Sequence, residues 1–122
     1  MTLKTLLLVF AGGGIGSIIR FLLSSFIAPY SSKFPYSTLI VNIVSCVLLG
    51  MLIGWSSKHF LSDDMKLFLM VGICGGFSTF STFSAESYQL FNTGAIINAF
   101  IYMGASFIIC LIAIYLGMRV VN

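Results

Sequence analysis

The chain has 122 residues, of which 59% are hydrophobic and only 7% carry charge, with a formal net charge of +3 at pH 7. Mean hydropathy is +1.11, whereas a soluble domain carries about 25% charged residues, so the composition is that of an integral membrane protein. Each spanning helix takes roughly 20 residues; four of them use up most of the chain, which excludes an extramembrane domain and soluble catalytic machinery, and the scattered basic residues exclude nucleic-acid binding.

The expected architecture is all-α, a single transmembrane four-helix domain over residues 1–122. The first helix is predicted over Leu3–Ile27. Its start, Lys4 followed by LLLVFAGGGIG, has a faint look of a signal peptide, but Arg20 interrupts the run and further spans follow, so it is read as a retained helix. Gly12, Gly16, Arg20 and Ser24 recur every four residues. The Gly12-x-x-x-Gly16 pair permits close helix approach, and packing is its main expected role. Charge at membrane depth is costly and faces a bundle interior or a wet cavity. Arg20 is therefore read as cavity-facing in preference to snorkelling toward the interface.

A polar connection, Tyr30–Pro35, leads to a second helix predicted over Tyr36–Trp55. Thr38, Asn42, Ser45 and Cys46 share one of its faces. Asn42 reads equally well as interhelical glue and as an amide donor to an anion. The loop Ser56–Asp64 holds Lys58, His59 and the only acidic cluster, Asp63-Asp64. His59 has no partner ligand nearby and reads as a solvated loop residue. The third helix is predicted to begin near Met65, to be interrupted around Gly75–Phe80, and to resume to about Phe91. After the turn Asn92-Thr93-Gly94, a fourth runs over Ala95–Met118, with Asn98, Tyr102, Ser106 and Cys110 along one stripe facing the bundle. Tyr30, Tyr36, Trp55 and Tyr115 lie near span ends, where amphipathic rings prefer the interface. Cys46, Cys74 and Cys110 all fall in apolar segments, without a CxxC pair and in odd number, and read as buried small hydrophobes. No internal repeat is detectable, so any inverted symmetry must come from a second subunit.

The most informative stretch is Gly72–Ser84, GICGGFSTFSTFS. Gly75-Gly76 weakens the helix, and five hydroxyl side chains follow it inside an apolar segment. Backbone that leaves a helix at membrane depth survives only when buried in protein or lining a wet cavity. Phe80 and Phe83 are one turn apart among Ser78, Thr79, Ser81, Thr82 and Ser84. They can be ordinary core rings with hydroxyls bonded back to their own helix. The ordering, a break and then alternating hydroxyls and rings, favours an ion or solute site instead. Ring edges are positive and hydroxyls are donors; together they replace water around a small anion without holding it too tightly to leave. Glu86, further along the third span, fits a vestibule or an interfacial position equally.

Three motifs resemble the Fluc fluoride channels, also called the CrcB proteins. They are Gly13-Gly14-x-Gly16-Ser17-x-x-Arg20-Phe21, Thr38-Leu39-x-Val41-Asn42, and the third-helix run from Gly72 to Ser84. The resemblance implies a fluoride-selective channel, not an enzyme, that passively exports toxic fluoride. It implies an antiparallel, dual-topology homodimer, each chain paired with an inverted second copy of itself in a lipid bilayer, and two pores. It implies a structural sodium ion on the two-fold axis, held by the backbone carbonyls of Gly75 and Ser78, with the third helix broken near the membrane midplane. It assigns the fluoride pathway to Asn42, Phe80 and Phe83, with Ser81 and Thr82 as hydroxyl donors, Arg20 near an aqueous entrance, and Tyr102 and Ser106 on the fourth helix. A bacterial plasma membrane, crossed several times, is the location it implies. The rival is a small four-helix proton-coupled exporter, which needs a titratable carboxylate in its substrate chamber; the first helix offers Arg20 and no Asp or Glu. Lys4, Lys58, Lys66 and Arg119 fall on one side of the predicted spans, against Lys33 and, if it reaches that interface, Arg20 on the other. That is a mild bias toward termini inside.

Overall fold

The computed structural model describes residues 1–122, all of them helical or in short connections. α1 runs Leu3–Ile27 and ends in a 3-10 turn, Ala28–Tyr30. α2 runs Tyr36–Ser57. The third span is composite: α3, Asp63–Lys66; a π-helical stretch, Leu67–Cys74; α4, Gly75–Phe77; and, after a break at Ser78 and Thr79, α5, Phe80–Asn92. α6 runs Ile96–Val120. The four spans Leu3–Tyr30, Tyr36–Ser57, Asp63–Asn92 and Ile96–Val120 are each long and apolar enough to cross a membrane, as the composition implies. Ends shift by a residue or two from the sequence expectation, because caps and not hydropathy terminate helices. Ser62, for example, accepts from the Met65 N–H at 3.2 Å and so starts α3 ahead of the apolar run.

Only 20 of the 122 residues are buried, so most of the apolar surface faces outward, as a lipid-solvated bundle requires. Without a hydrophobic drive between helices, close backbone packing holds such a bundle together. Two glycine seams supply it. Gly12 and Gly16 of α1 lie on the third span, where an added Cβ would run into the carbonyls of Phe68 and Ile73; facing them, Gly72 and Gly76 abut Gly12 and Gly13. On the other side, Gly50 meets the Ile114 carbonyl and Gly117 the Val47 carbonyl, which locks α2 to α6. The packing role expected of Gly12 and Gly16 therefore extends to a matching ridge on the third span.

One expectation needs correction. Gly75-Gly76 is not itself the break: Gly75 is helical, at φ −64° and ψ −36°. Helical geometry is lost at Ser78, φ −72° and ψ 159°, and Thr79, φ −148° and ψ 112°. Both are conformations any residue adopts, so Gly76 serves close approach to Gly13 and the hydroxyl residues make the break. Positive φ occurs at Gly94 (83°), in the turn before α6, and at His59 (59°), in the loop after α2.

Polar ties define the two ends. Lys4 pairs with Asp64, and Lys58 Nζ donates to the Val121 carbonyl at 2.6 Å, so both termini and the α2–α3 loop share one end. The Ser31–Ser37 segment and the Thr93–Ala95 turn meet at the other, around one open cavity.

Candidate functional site

The break is built from side chains that take over backbone bonds. The Ser78 N–H and Ser78 Oγ both donate to the Cys74 carbonyl at 3.0 Å, closing the first half of the span. Thr79 opens the second half as an N-cap: its Oγ1 accepts from the Thr82 N–H at 3.3 Å and donates to Thr82 Oγ1 at 3.0 Å. In a continuous helix the Thr79 N–H would bond to the Gly75 carbonyl. Here it donates to Asn42 Oδ1 at 2.9 Å, and Asn42 Nδ2 returns a bond to the Thr79 carbonyl at 3.2 Å. Asn42 thus mimics a backbone partner from the next helix. An amide carries two N–H donors, so one is left over.

That spare donor belongs to a residue lining an inner cavity of about 250 Å³, open along one side of the single chain, together with Ser78, Thr79, Phe80, Phe83, Ser106, Phe107, Cys46 and Cys110. The lining contains no charged side chain. Ser106 Oγ is buried there without a hydrogen-bond partner, a rare condition for a buried hydroxyl. The Phe80 and Phe83 rings stand 5.7 Å apart, tilted by 38°. Phe80 is 79% exposed in the single chain, Phe83 half-buried.

Toward the open end, the Phe83 ring sits 5.2 Å from Tyr102. Tyr102 is fully buried. Its OH donates to Glu86 Oε2 at 2.8 Å, and Thr38 Oγ1 donates to Glu86 Oε1 at 2.8 Å. Phe34 packs edge-on against Tyr102 at 5.5 Å. Beyond Glu86 the second cavity opens, about 600 Å³, walled by Lys33, Ser37, Gln89, Thr93 and Asn98 among others. The two cavities lie on either side of the Phe83–Tyr102–Glu86 contact.

The expected residues are brought together unevenly. Asn42, Phe80, Phe83, Ser106 and Ser78 share the inner cavity. Tyr102 stands between it and the vestibule. Arg20 is half-buried, its Nη1 3.4 Å from the Ser78 carbonyl, and does not itself line the cavity. Ser81 is exposed, Thr82 is exposed and bound to Thr79, and neither lines a cavity of the single chain. Gly75 is exposed, and a Cβ there would meet nothing within 4 Å. Sequence reasoning missed the Thr38–Glu86–Tyr102 cluster and the capping role of Thr79. The only available signal was that Thr38 and Tyr102 stood on polar stripes and that Glu86 was the one acid deep in an apolar span; nothing local linked the three.

Residues 7–118 match the family model described as CrcB-like protein, Camphor Resistance (CrcB). The chain is 41% identical over 116 residues to the fluoride-specific ion channel FluC of Phocaeicola vulgatus, covering 94% of this chain and 96% of that relative. It is 39% identical over 118 residues to the FluC of Flavobacterium psychrophilum, with 95% of each covered. The FluC of Pyrococcus abyssi is 40% identical over 118 residues, covering 96% of this chain and 95% of its own length. With a family model spanning nearly the whole sequence and relatives alike along their full length, this multi-pass membrane protein belongs to the CrcB family.

Proposed function

We propose that the chain is a fluoride-selective channel of the cell membrane, which lets the anion leave down its electrochemical gradient. The observation that carries this is the inner cavity: an unpartnered Ser106 hydroxyl and a spare Asn42 N–H, beside two phenylalanine rings, in a lining without charge. Neutral donors and positive ring edges stabilise a small dehydrated anion, and the lack of a fixed cation lets it leave again. Fluoride enters from the vestibule, passes the Tyr102 and Phe83 rings, and reaches Ser106, Asn42 and Phe80. Arg20 supplies positive potential near the break. The names of the relatives agree with this substrate.

The working unit in this reading is an antiparallel homodimer with two pores. Phe80, Ser81 and Thr82 stand exposed on the single chain, and a second, inverted copy would cover them and complete the walls. Gly14 and Gly75 offer open small-residue positions for its close approach. A structural sodium ion would bind at the axis, through the Gly75 and Ser78 carbonyls of both chains. Donor type fits a hard cation: the Gly75 carbonyl has lost its helical donor to Asn42, unwound carbonyls suit sodium, and no group of three His, Cys, Asp or Glu competes as a ligand cluster.

The test is efflux from liposomes loaded with both halides and containing the purified protein. Fluoride, read by an ion-selective electrode, should be released far faster than chloride. Equal rates for the two anions overturn the proposal.

A further inference from the structure

The fluoride pathway makes no use of the cysteines, yet two of the three are placed beside it. Cys46 of α2 and Cys110 of α6 both line the inner cavity, with Asn42 and Ser106. Both thiols are free and half-buried, and the register that sets Gly50 against Ile114 puts Cys46 and Cys110, each one turn earlier, at one level of the α2–α6 seam. The close packing of α2 on α6 keeps them there, since Gly50, one turn beyond Cys46, lies against the Ile114 carbonyl. Cys74 is buried and is not part of the cavity wall.

We propose that Cys46 and Cys110 form a two-thiol binding site for a soft divalent cation, Hg²⁺, entered from the inner cavity, and that filling it closes the ion path. Thiolates select soft metals. Hg²⁺ is satisfied by two of them in line, so a pair on facing helices suffices. Zinc needs four ligands, and no group of three His, Cys, Asp or Glu exists here. The charge balance favours the divalent ion. One Hg²⁺ displaces one proton from each thiol, two sulfur–mercury bonds form, two protons leave, and the product is neutral. A neutral product escapes the cost of burying net charge in an apolar wall. It also fills space in the cavity that Asn42 and Ser106 line, which is the anion path in the channel proposed above.

Two measurements test this. First, Hg²⁺ as its nitrate is titrated into the purified, detergent-solubilised protein, and the ultraviolet mercury–thiolate band is followed. One Hg²⁺ per chain should bind in wild type and in Cys74→Ser, and the two-thiolate band should vanish in Cys46→Ser and in Cys110→Ser. Retention of the band in the Cys46→Ser/Cys110→Ser double variant, or its loss in a monodisperse Cys74→Ser sample, overturns the site. Second, in chloride-free proteoliposomes, Hg²⁺ should lower fluoride efflux at least about tenfold in wild type and Cys74→Ser, since a filled pathway denies the ion entry and exit. The Cys46→Ser/Cys110→Ser double variant should keep its own untreated rate, and excess dithiol should restore the wild type. Binding with undiminished efflux overturns the placement of the pair on the ion path. The binding arm needs no flux, so a chain that moved no fluoride at all would count against the channel reading while the titration still decided the site.

Discussion

At the residue scale, the chemistry rests on groups whose other bonding needs are already met. Ser78 shows the logic. Its Oγ is committed to the Cys74 carbonyl at 3.0 Å, so a cation is left only its main-chain oxygen, which Arg20 Nη1 also reaches at 3.4 Å. Ser78→Ala should therefore keep the proposed sodium ion, visible in a crystal structure grown in sodium salt with short metal–oxygen distances; loss of the ion in the variant alone would assign the side chain as ligand. Phe80 and Phe83 are the other decisive pair. Isoleucine preserves apolar bulk but removes the ring quadrupole. Phe80→Ile and Phe83→Ile should each slow fluoride efflux by about tenfold or more, equivalent to about 1.4 kcal/mol in barrier, while the protein still elutes at the wild-type position. Wild-type flux in both variants would return the rings to plain packing. The pairing of Asn42 with Thr79 was only half legible beforehand. Its amide type suggested either glue or donor, and the geometry uses it as glue with one N–H to spare.

At the element scale, backbone contact through small residues holds the bundle together. Gly16 touches the Ile73 carbonyl across the α1 seam, whereas a Cβ on Gly104 of α6 would meet nothing within 4 Å. Gly16→Ala should cost about 1–3 kcal/mol, the usual penalty for overpacking a tight site, read as a lower midpoint of thermal aggregation in detergent. Gly104→Ala should leave that midpoint unchanged or raise it. Equal shifts in the two variants would mean that the seam yields freely. The third span uses its elements differently. Its π-helical stretch and its break at Ser78–Thr79 interrupt a segment that hydropathy alone would draw as one helix, and such departures concentrate at functional sites. The sequence placed the interruption within Gly75–Phe80 but pointed to the glycines. The hydroxyl residues are responsible, because Thr79 caps the next helix with a side-chain oxygen, which glycine lacks.

At the scale of the whole molecule, the ends are well defined while the orientation in the membrane is weakly biased. Lys4, Lys58, Lys66 and Arg119 gather at the end held by the Lys4–Asp64 and Lys58–Val121 ties, and Lys33 stands at the vestibule end. Arg20 is held at the break by the Ser78 carbonyl, which leaves Lys33 nearly alone against four. That count leans toward termini inside. An antiparallel homodimer nevertheless needs both orientations, so single cysteines introduced near Lys33 and at the C-terminus of a Cys-free background should each be labelled from both faces of the membrane. Labelling of each from one face only would mean a fixed orientation and an inverted partner made as a separate chain.

Membrane residence, four spans and a polar break in the third follow from local patterning, because hydropathy and backbone desolvation act on neighbouring residues and leave their trace in a short window. The family motifs are likewise local, and so the fluoride reading was available from the residues alone. The Glu86 cluster, the Asn42–Thr79 stitch, the Cys46–Cys110 pair and the unpartnered Ser106 hydroxyl are different in kind. The first three join groups from separate spans, with Glu86 and Tyr102 16 positions apart and Asn42 and Thr79 37 apart, and the fourth is a hydroxyl that no other span reaches. Which of them meet depends on how the glycine seams set helix rotation and depth, and that rotation is fixed by packing between spans, a quantity that no single stretch of the chain contains.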